Sequence, residues 1–205
     1  MEPLFDARAV TARLNDAVAR WHETSISHDE QDTFLKLALT NQDFNFQLWH
    51  EEDKARDPHA APEDIAACKH AIDGFNQQRN DSMERMDEFV LEGLRLGGVN
   101  ADQQAPLHSE TVGSIVDRLA ILALKSFHMR EETLREDAGE AHRRGCADKL
   151  AVLEAQQQDL AGCLAVLHDE LCQGRIRFKV YRQMKMYNDP SLNPVLYGKG
   201  KPGGS

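Results

Sequence analysis

The stretch that most constrains the fold is residues 109–129, SETVGSIVDRLAILALKSFHM, because its centre is apolar on every side. A helix that is apolar all round is a buried helix. Yet this stretch also carries Asp117, Arg118, Lys125 and His128. At about 100° per residue, Arg118 and Lys125 share one face, and Asp117 and His128 share a neighbouring face. Because burying an unpaired charge costs several kcal/mol, we expect these groups to meet partners on other helices.

Four further segments have helical patterns and predict, with the central helix over 110–129, an all-α single-domain bundle of about five helices. Their predicted ranges are 3–23, 30–56, 62–95 and 146–173. The second ends before Pro58, and Pro62 fits the first helical position of the third. The predicted domain spans 1–197 and includes an irregular basic tail after the fifth helix. Residues 198–205, GKGKPGGS, are expected to be disordered.

Composition excludes several classes of function. The 205 residues carry a net charge of −10, which disfavours binding to nucleic acid. No apolar run reaches the roughly 18 residues that cross a bilayer, so we expect no membrane span. The N-terminal MEPLFDARAV lacks the apolar core of a secretory signal, so we expect a cytoplasmic protein. The four cysteines show no CxxC spacing, which predicts free thiols and signals neither a disulfide framework nor a zinc site.

The fifth helix has the most regular pattern. Its leucines alternate by three and four, with Gln157 inside the same seam. The leucines are Leu150, Leu153, Leu160, Leu164, Leu167 and Leu171. This narrow seam fits a helix packed on the bundle or on a second copy of itself, and we predict a homodimer.

Polar side chains on the second, third and central helices form the candidate site. The predicted ligand-binding residues are Asn45, His50, Glu52, Arg56, Asn76, Arg79, Asn80, Glu84, Asp117, Arg118, Lys125 and His128. One interpretation is a polar core in which Arg–carboxylate pairs fix helix register. The other is a binding site, because helical bundles build such sites from facing helices. The excess of amide and guanidinium groups over histidines favours an anionic or sugar ligand over a transition metal. We expect no metal and no cofactor at this site.

Asp117 and Arg118 each need a partner on another element, because they point about 100° apart on the helix. Candidates of the right sign are Arg56 or Arg79 for Asp117, and Glu52, Glu84 or Asp87 for Arg118. If every charge is paired internally and no cavity adjoins the cluster, only the structural interpretation remains.

One spacing resembles the all-helical nucleoside-triphosphate pyrophosphatases of the MazG and dimeric dUTPase type. In that resemblance Glu51 and Glu52 form a paired motif, Glu84 and Asp87 form an ExxD motif, and the carboxylates hold magnesium. Ala55 stands where the first motif would have a further glutamate. Magnesium is expected only under this alternative.

The longer motifs LWHEEDKAR, IDxxNQQRNDxxExxD, SETVGSIVDRLAILALKSFHM and YRQMKMYNDPSLNP resemble the bacterial family called domain of unknown function 4254. The resemblance covers roughly residues 30–197, with SETVGS here in place of the family's SETPGS. The family has no established activity, and its members are often encoded beside glycosyltransferases and surface-polysaccharide genes. The resemblance thus implies a role in surface glycan assembly, leaves open whether the protein is an enzyme, and assigns no catalytic residue. A further alternative is a helical scaffold that binds a partner protein.

Overall fold

The computed structural model describes residues 3–182, 184, 191 and 192, and these form five helices. The helices are α1 (Ala7–Glu23), α2 (Thr33–Ala55), α3 (Pro62–Leu96), α4 (Val112–Leu134) and α5 (Glu140–Cys172). Within the described residues the only extended pairing is an isolated bridge between Leu107 and Arg177. The all-α bundle predicted from the sequence is therefore confirmed.

Local chemistry explains where the helices begin. Asp6 accepts hydrogen bonds from the Arg8 and Ala9 amides at the start of α1, and Asp32 accepts one from the Leu35 amide at the start of α2. Thr111 and Ser114 form a reciprocal capping box at the start of α4. Each of these bonds satisfies an amide that has no partner inside its helix.

Helix α4 is the centre of the bundle, since it packs against all four other helices. The side chains of Ile115, Val116 and Leu119 are almost fully buried. The expectation that α4 is buried on every side is wrong, however, because Arg118 and Lys125 are exposed. The helix also continues to Leu134, five residues beyond the predicted end at 129, and α5 begins at 140 rather than 146.

The leucine seam of α5 is used largely within the chain. Leu160, Leu164, Leu167 and Leu171 are buried in the common core. Gln157, inside the seam, exchanges two hydrogen bonds of 3.1 and 3.0 Å with Asn15 of α1. The seam therefore packs on the bundle, which is one of the two interpretations of its pattern. The homodimer stays a prediction.

The described part of the basic tail returns across the segment that precedes α4. The His108 amide donates to the Arg177 carbonyl at 2.7 Å, and the Arg177 amide donates to the Pro106 carbonyl at 3.0 Å. Arg182 then pairs with Glu84 at 2.9 Å and with Glu88 at 2.5 Å, both on α3. Arg182 thus connects the tail to two acidic residues of α3, while residues 198–205 lie outside the described part of the chain.

Two compositional expectations can be compared with the structure. All four cysteines are free thiols, as predicted. None of the helices in the described residues is long and apolar enough to cross a membrane. The cytoplasmic location stays a prediction.

Candidate functional site

A buried carboxylate on α4 organises the polar contacts between α2, α3 and α4. Asp117 has a relative exposure of 4%. Its Oδ1 accepts hydrogen bonds from the side-chain amides of Asn41 at 3.2 Å and Asn45 at 3.0 Å. Arg79 Nε lies 2.9 Å from the same oxygen. Arg79 was one of the two partners predicted for Asp117, so this prediction is confirmed.

A cleft of about 440 Å³ adjoins this polar cluster. Asn45 and Arg79 line the cleft and also belong to the cluster. Its wall is formed by Asn45, Leu48, Trp49, Glu52, Asp53, Arg56, Asn76, Arg79, Ile121 and Leu124. The cleft therefore brings together five of the predicted ligand-binding residues, drawn from α2, from Arg56 directly after it, and from α3. The predicted ligand-binding residues did not include Trp49 and Asp53, although both lie in the motif LWHEEDKAR.

The charges of the cleft are nearly balanced. Arg56 Nη2 lies 2.8 Å from Glu52 Oε2, and Arg79 is paired with Asp117. Asp53 has no ion pair among the described residues. Two guanidinium groups thus face three carboxylates, and the cleft has no excess of positive charge with which to attract an anion.

Arg118 and Lys125 do not contribute to this cleft. They line a second cleft of about 590 Å³ between α4 and α5, and Ile121 borders both clefts. Arg118 pairs with Glu110, which precedes α4, and not with Glu52, Glu84 or Asp87 as predicted. The prediction is wrong because the Arg118 face of α4 is open to solvent. An exposed arginine can meet a nearby carboxylate before its own helix and needs no partner on α2 or α3.

His50 and His128 belong to a third group, a cluster of rings that includes His22 of α1. The ring centroid of His22 lies 5.3 Å from that of His50 and 5.0 Å from that of His128. Burial, followed by the nearby His22 and His128 rings, lowers the pKa of His50. The His128 ring stacks on Trp49 at 4.8 Å. Because Trp49 also lines the cleft, the cluster supports one wall of it.

The remaining predicted residues lie away from the cleft, and the carboxylates of the magnesium alternative do not converge. Glu51 pairs with Lys54 at 2.6 Å, and Glu84 pairs with Arg182. Asp87 accepts a hydrogen bond of 2.7 Å from the Gly113 amide. Within the described residues, the only group of three side chains placed to hold a metal contains none of these carboxylates. Asn80, like Glu84, is not part of the cleft wall.

Fold and cleft together define an all-α bundle protein with a polar cleft between three of its helices. The chain belongs to a family described as "Protein of unknown function (DUF4254)", whose family model matches residues 35–180. This range runs from α2 into the tail and includes every residue of the cleft wall. No curated protein and no solved structure matches the chain.

Proposed function

We propose that the cleft between α2, α3 and α4 binds a sugar, carried as the sugar part of a nucleotide-linked donor. The observation that supports this most strongly is the convergence of amide, guanidinium and carboxylate groups beside Trp49 on one cleft. Its volume of about 440 Å³ falls in the range of small-molecule sites, roughly 300–1,000 Å³. The family resemblance, which implies a setting of surface-glycan assembly, agrees with this class of ligand.

The chemistry of the cleft wall suits a ligand rich in hydroxyl groups. Asn76 can both donate and accept, while Glu52 and Asp53 accept from hydroxyl groups. The amide nitrogen of Asn45 is already bonded to Asn41 and Asp117, so Asn45 can offer only its side-chain oxygen. An aromatic ring such as Trp49 offers an apolar face for the C–H face of a sugar. Because the charges nearly balance, the cleft is better suited to the sugar than to a bare phosphate.

The phosphate end of such a donor has a natural contact at Arg56. This side chain is 69% exposed, and its only ion-pair partner in the described residues is Glu52. A guanidinium group can hold a phosphate through two parallel hydrogen bonds. We therefore place the sugar against Trp49 and Asn76, with the phosphate toward Arg56.

Thermal unfolding with a panel of compounds tests the proposal. The panel contains nucleotide-linked sugars, the matching nucleotides without sugar, and free monosaccharides, each with and without magnesium. A ligand present at 100 times its Kd adds about 2.7 kcal/mol to the free energy of unfolding. We expect a nucleotide-linked sugar to raise the Tm more than its nucleotide, with no requirement for magnesium. No shift with any compound would contradict the proposal and favour a helical scaffold.

Matched variants locate the binding. Asp53→Asn and Asn76→Ala each change a polar contact in the cleft without releasing Arg56 from Glu52, and each should weaken binding by about tenfold or more. Arg118→Gln and Lys125→Gln change polar residues of the second cleft and should bind as the unmodified chain does. Weaker binding by the Arg118 and Lys125 variants, with unchanged binding by the other two, would show that the ligand binds in the cleft between α4 and α5. A strict requirement for magnesium would instead revive the pyrophosphatase alternative.

A further inference from the structure

Three side chains that suit a metal ion meet where α4 ends and α5 begins. His142 Nε2 lies 2.8 Å from Glu132 Oε2, and Cys146 Sγ lies 3.5 Å from His142 Nε2. The three donor atoms all lie within 4.8 Å of one another. None of the three residues lines either cleft.

The local fold explains the meeting. His142 and Cys146 are four residues apart on α5, so their side chains lie on one face of the helix. Glu132 is in the last turn of α4, and the short connection over 135–139 turns the chain back so that α5 packs on α4. The sequence spacing is Glu-x9-His-x3-Cys, and its two halves come together only through this helical hairpin.

We propose that Glu132, His142 and Cys146 bind one zinc ion, with a water molecule in the fourth position. Zinc bonds of about 2.0–2.3 Å in a tetrahedron place neighbouring donor atoms roughly 3.3–3.8 Å apart. The separation of 3.5 Å between Cys146 and His142 already lies in that range. The separation of 2.8 Å between His142 and Glu132 needs to widen by less than about 1 Å, as the ion replaces their hydrogen bond.

The donor set has the right charge and the right chemistry for zinc. One thiolate, one carboxylate and one neutral imidazole together balance a divalent cation. Nitrogen and sulfur donors favour zinc over magnesium or calcium, which prefer oxygen.

The surroundings leave room for an ion and its water molecule. Cys146 is only 5% exposed, whereas the His142 side chain is 47% exposed, so the open position faces solvent on the His142 side. Arg135 is the nearby cation, since it pairs with Glu132 at 3.0 Å. Asp137 also holds Arg135, at 2.7 Å, and compensates its charge. Arg135 would then remain as an outer partner of the Glu132 carboxylate.

The inference is independent of the sugar site, and it departs from the expectation of no metal drawn from the cysteine spacing. The metal-free, untagged 205-residue chain is titrated with zinc and with cobalt(II). Cobalt(II) binds at zinc sites and reports a bound thiolate by a charge-transfer band. We expect one equivalent to bind, the thiolate-to-cobalt band to appear, and zinc to raise the Tm. Absence of the thiolate band in the unmodified chain would overturn the proposal.

Matched variants identify the ligands. His142→Gln and Cys146→Ser should each lower zinc affinity by at least about 100-fold, more than the loss of an outer partner usually costs. Cys163→Ser and His59→Gln change an exposed cysteine and an exposed histidine elsewhere and should bind zinc as the unmodified chain does. Undiminished binding by His142→Gln would overturn the proposal. That variant decides the matter even if Cys146→Ser, at a buried position, fails to fold.

Discussion

Arg79 Nε lies 2.9 Å from Asp117 Oδ1, and this contact joins α3 to α4 beside the cleft. The Asp117 side chain is 6% exposed and the Arg79 side chain 26% exposed. The pair is therefore compatible with both interpretations of the polar cluster, as a structural ion pair and as part of a binding site. The carboxylate is paired inside the protein, while the guanidinium group that pairs with it also forms part of the cleft wall.

Arg79→Met tests what this contact does for stability. The substitution leaves the Asp117 charge with only the amide donors of Asn41 and Asn45. Breaking a fully buried pair costs roughly 3–5 kcal/mol, and we expect about 1–3 kcal/mol here because Arg79 is partly exposed. Urea unfolding measures the loss. Arg79→Met combined with Asp117→Asn should recover most of it, since no unpaired charge remains.

Ligand binding by Arg79→Met separates the two interpretations of the contact. At a sugar site, the variant should lose affinity for the nucleotide-linked sugar at a temperature where it is still folded. Arg118→Met is the control, because Arg118 lies in the other cleft. Unchanged affinity in Arg79→Met would show that the contact with Asp117 is structural only.

Gly113→Ala should destabilise the protein, because α3 and α4 approach each other closely at this residue. A Cβ atom at position 113 would lie 2.3 Å from the Met83 carbonyl oxygen of α3, so the backbones would have to move apart. Overpacking of this kind costs about 1–3 kcal/mol. Chemical denaturation measures the effect.

Gly162→Ala is the matched control for this close approach. Gly162 lies inside α5, and nothing lies within 4 Å of a Cβ atom built there. The substitution should stabilise the protein by up to about 1 kcal/mol through helix propensity. Equal effects of the two substitutions would show that α3 and α4 do not touch at Gly113.

Asp87 should make stability depend on pH. Burial raises its pKa from 3.8 to about 6, and hydrogen bonds from Thr111 and the Gly113 amide oppose this only in part. Between these two values the folded state binds a proton that the unfolded state does not, so the Asp87 contribution to stability falls as pH rises from about 4 to about 6. Asp87→Asn removes this contribution. The difference in free energy of unfolding between the variant and the unmodified chain should therefore change by roughly 1–3 kcal/mol in favour of the variant as the pH rises from about 4 to about 7. A difference that is the same at both pH values would contradict this prediction.

Gln42→Leu should stabilise the protein. Gln42 is fully buried in α2, and neither its Nε2 nor its Oε1 has a hydrogen-bond partner in the described residues. An unsatisfied buried polar group costs about 1–3 kcal/mol, and leucine has a similar volume without that cost. The Tm measures the gain. Gln47→Leu is the control, because Gln47 already donates to Asp43 at 2.8 Å and its replacement should bring no gain. A lower Tm for Gln42→Leu would show that the amide is satisfied.

The sequence by itself determined the helices, the central position of α4 and the polar stripes of α2 and α3. These features follow from spacing along one helix, since residues three and four apart share a face. For the same reason Asn45, Glu52 and Arg56, which fall within roughly 60° of one another at about 100° per residue, could be assigned to one surface of the second helix before any contact was known. The charge of Arg79, opposite to that of Asp117, was enough to make Arg79 a candidate partner for Asp117.

Only the tertiary structure decided which face of α4 meets which neighbour. Spacing shows that Arg118 and Asp117 point in different directions, but it does not show that Arg118 faces solvent beside α5 while Asp117 faces α2 and α3. The same holds for the meeting of Glu132 with His142 and Cys146, which depends on how the connection between α4 and α5 turns. Helix rotation and crossing are set by the packing of many side chains together, and that packing is not a property of any single helix.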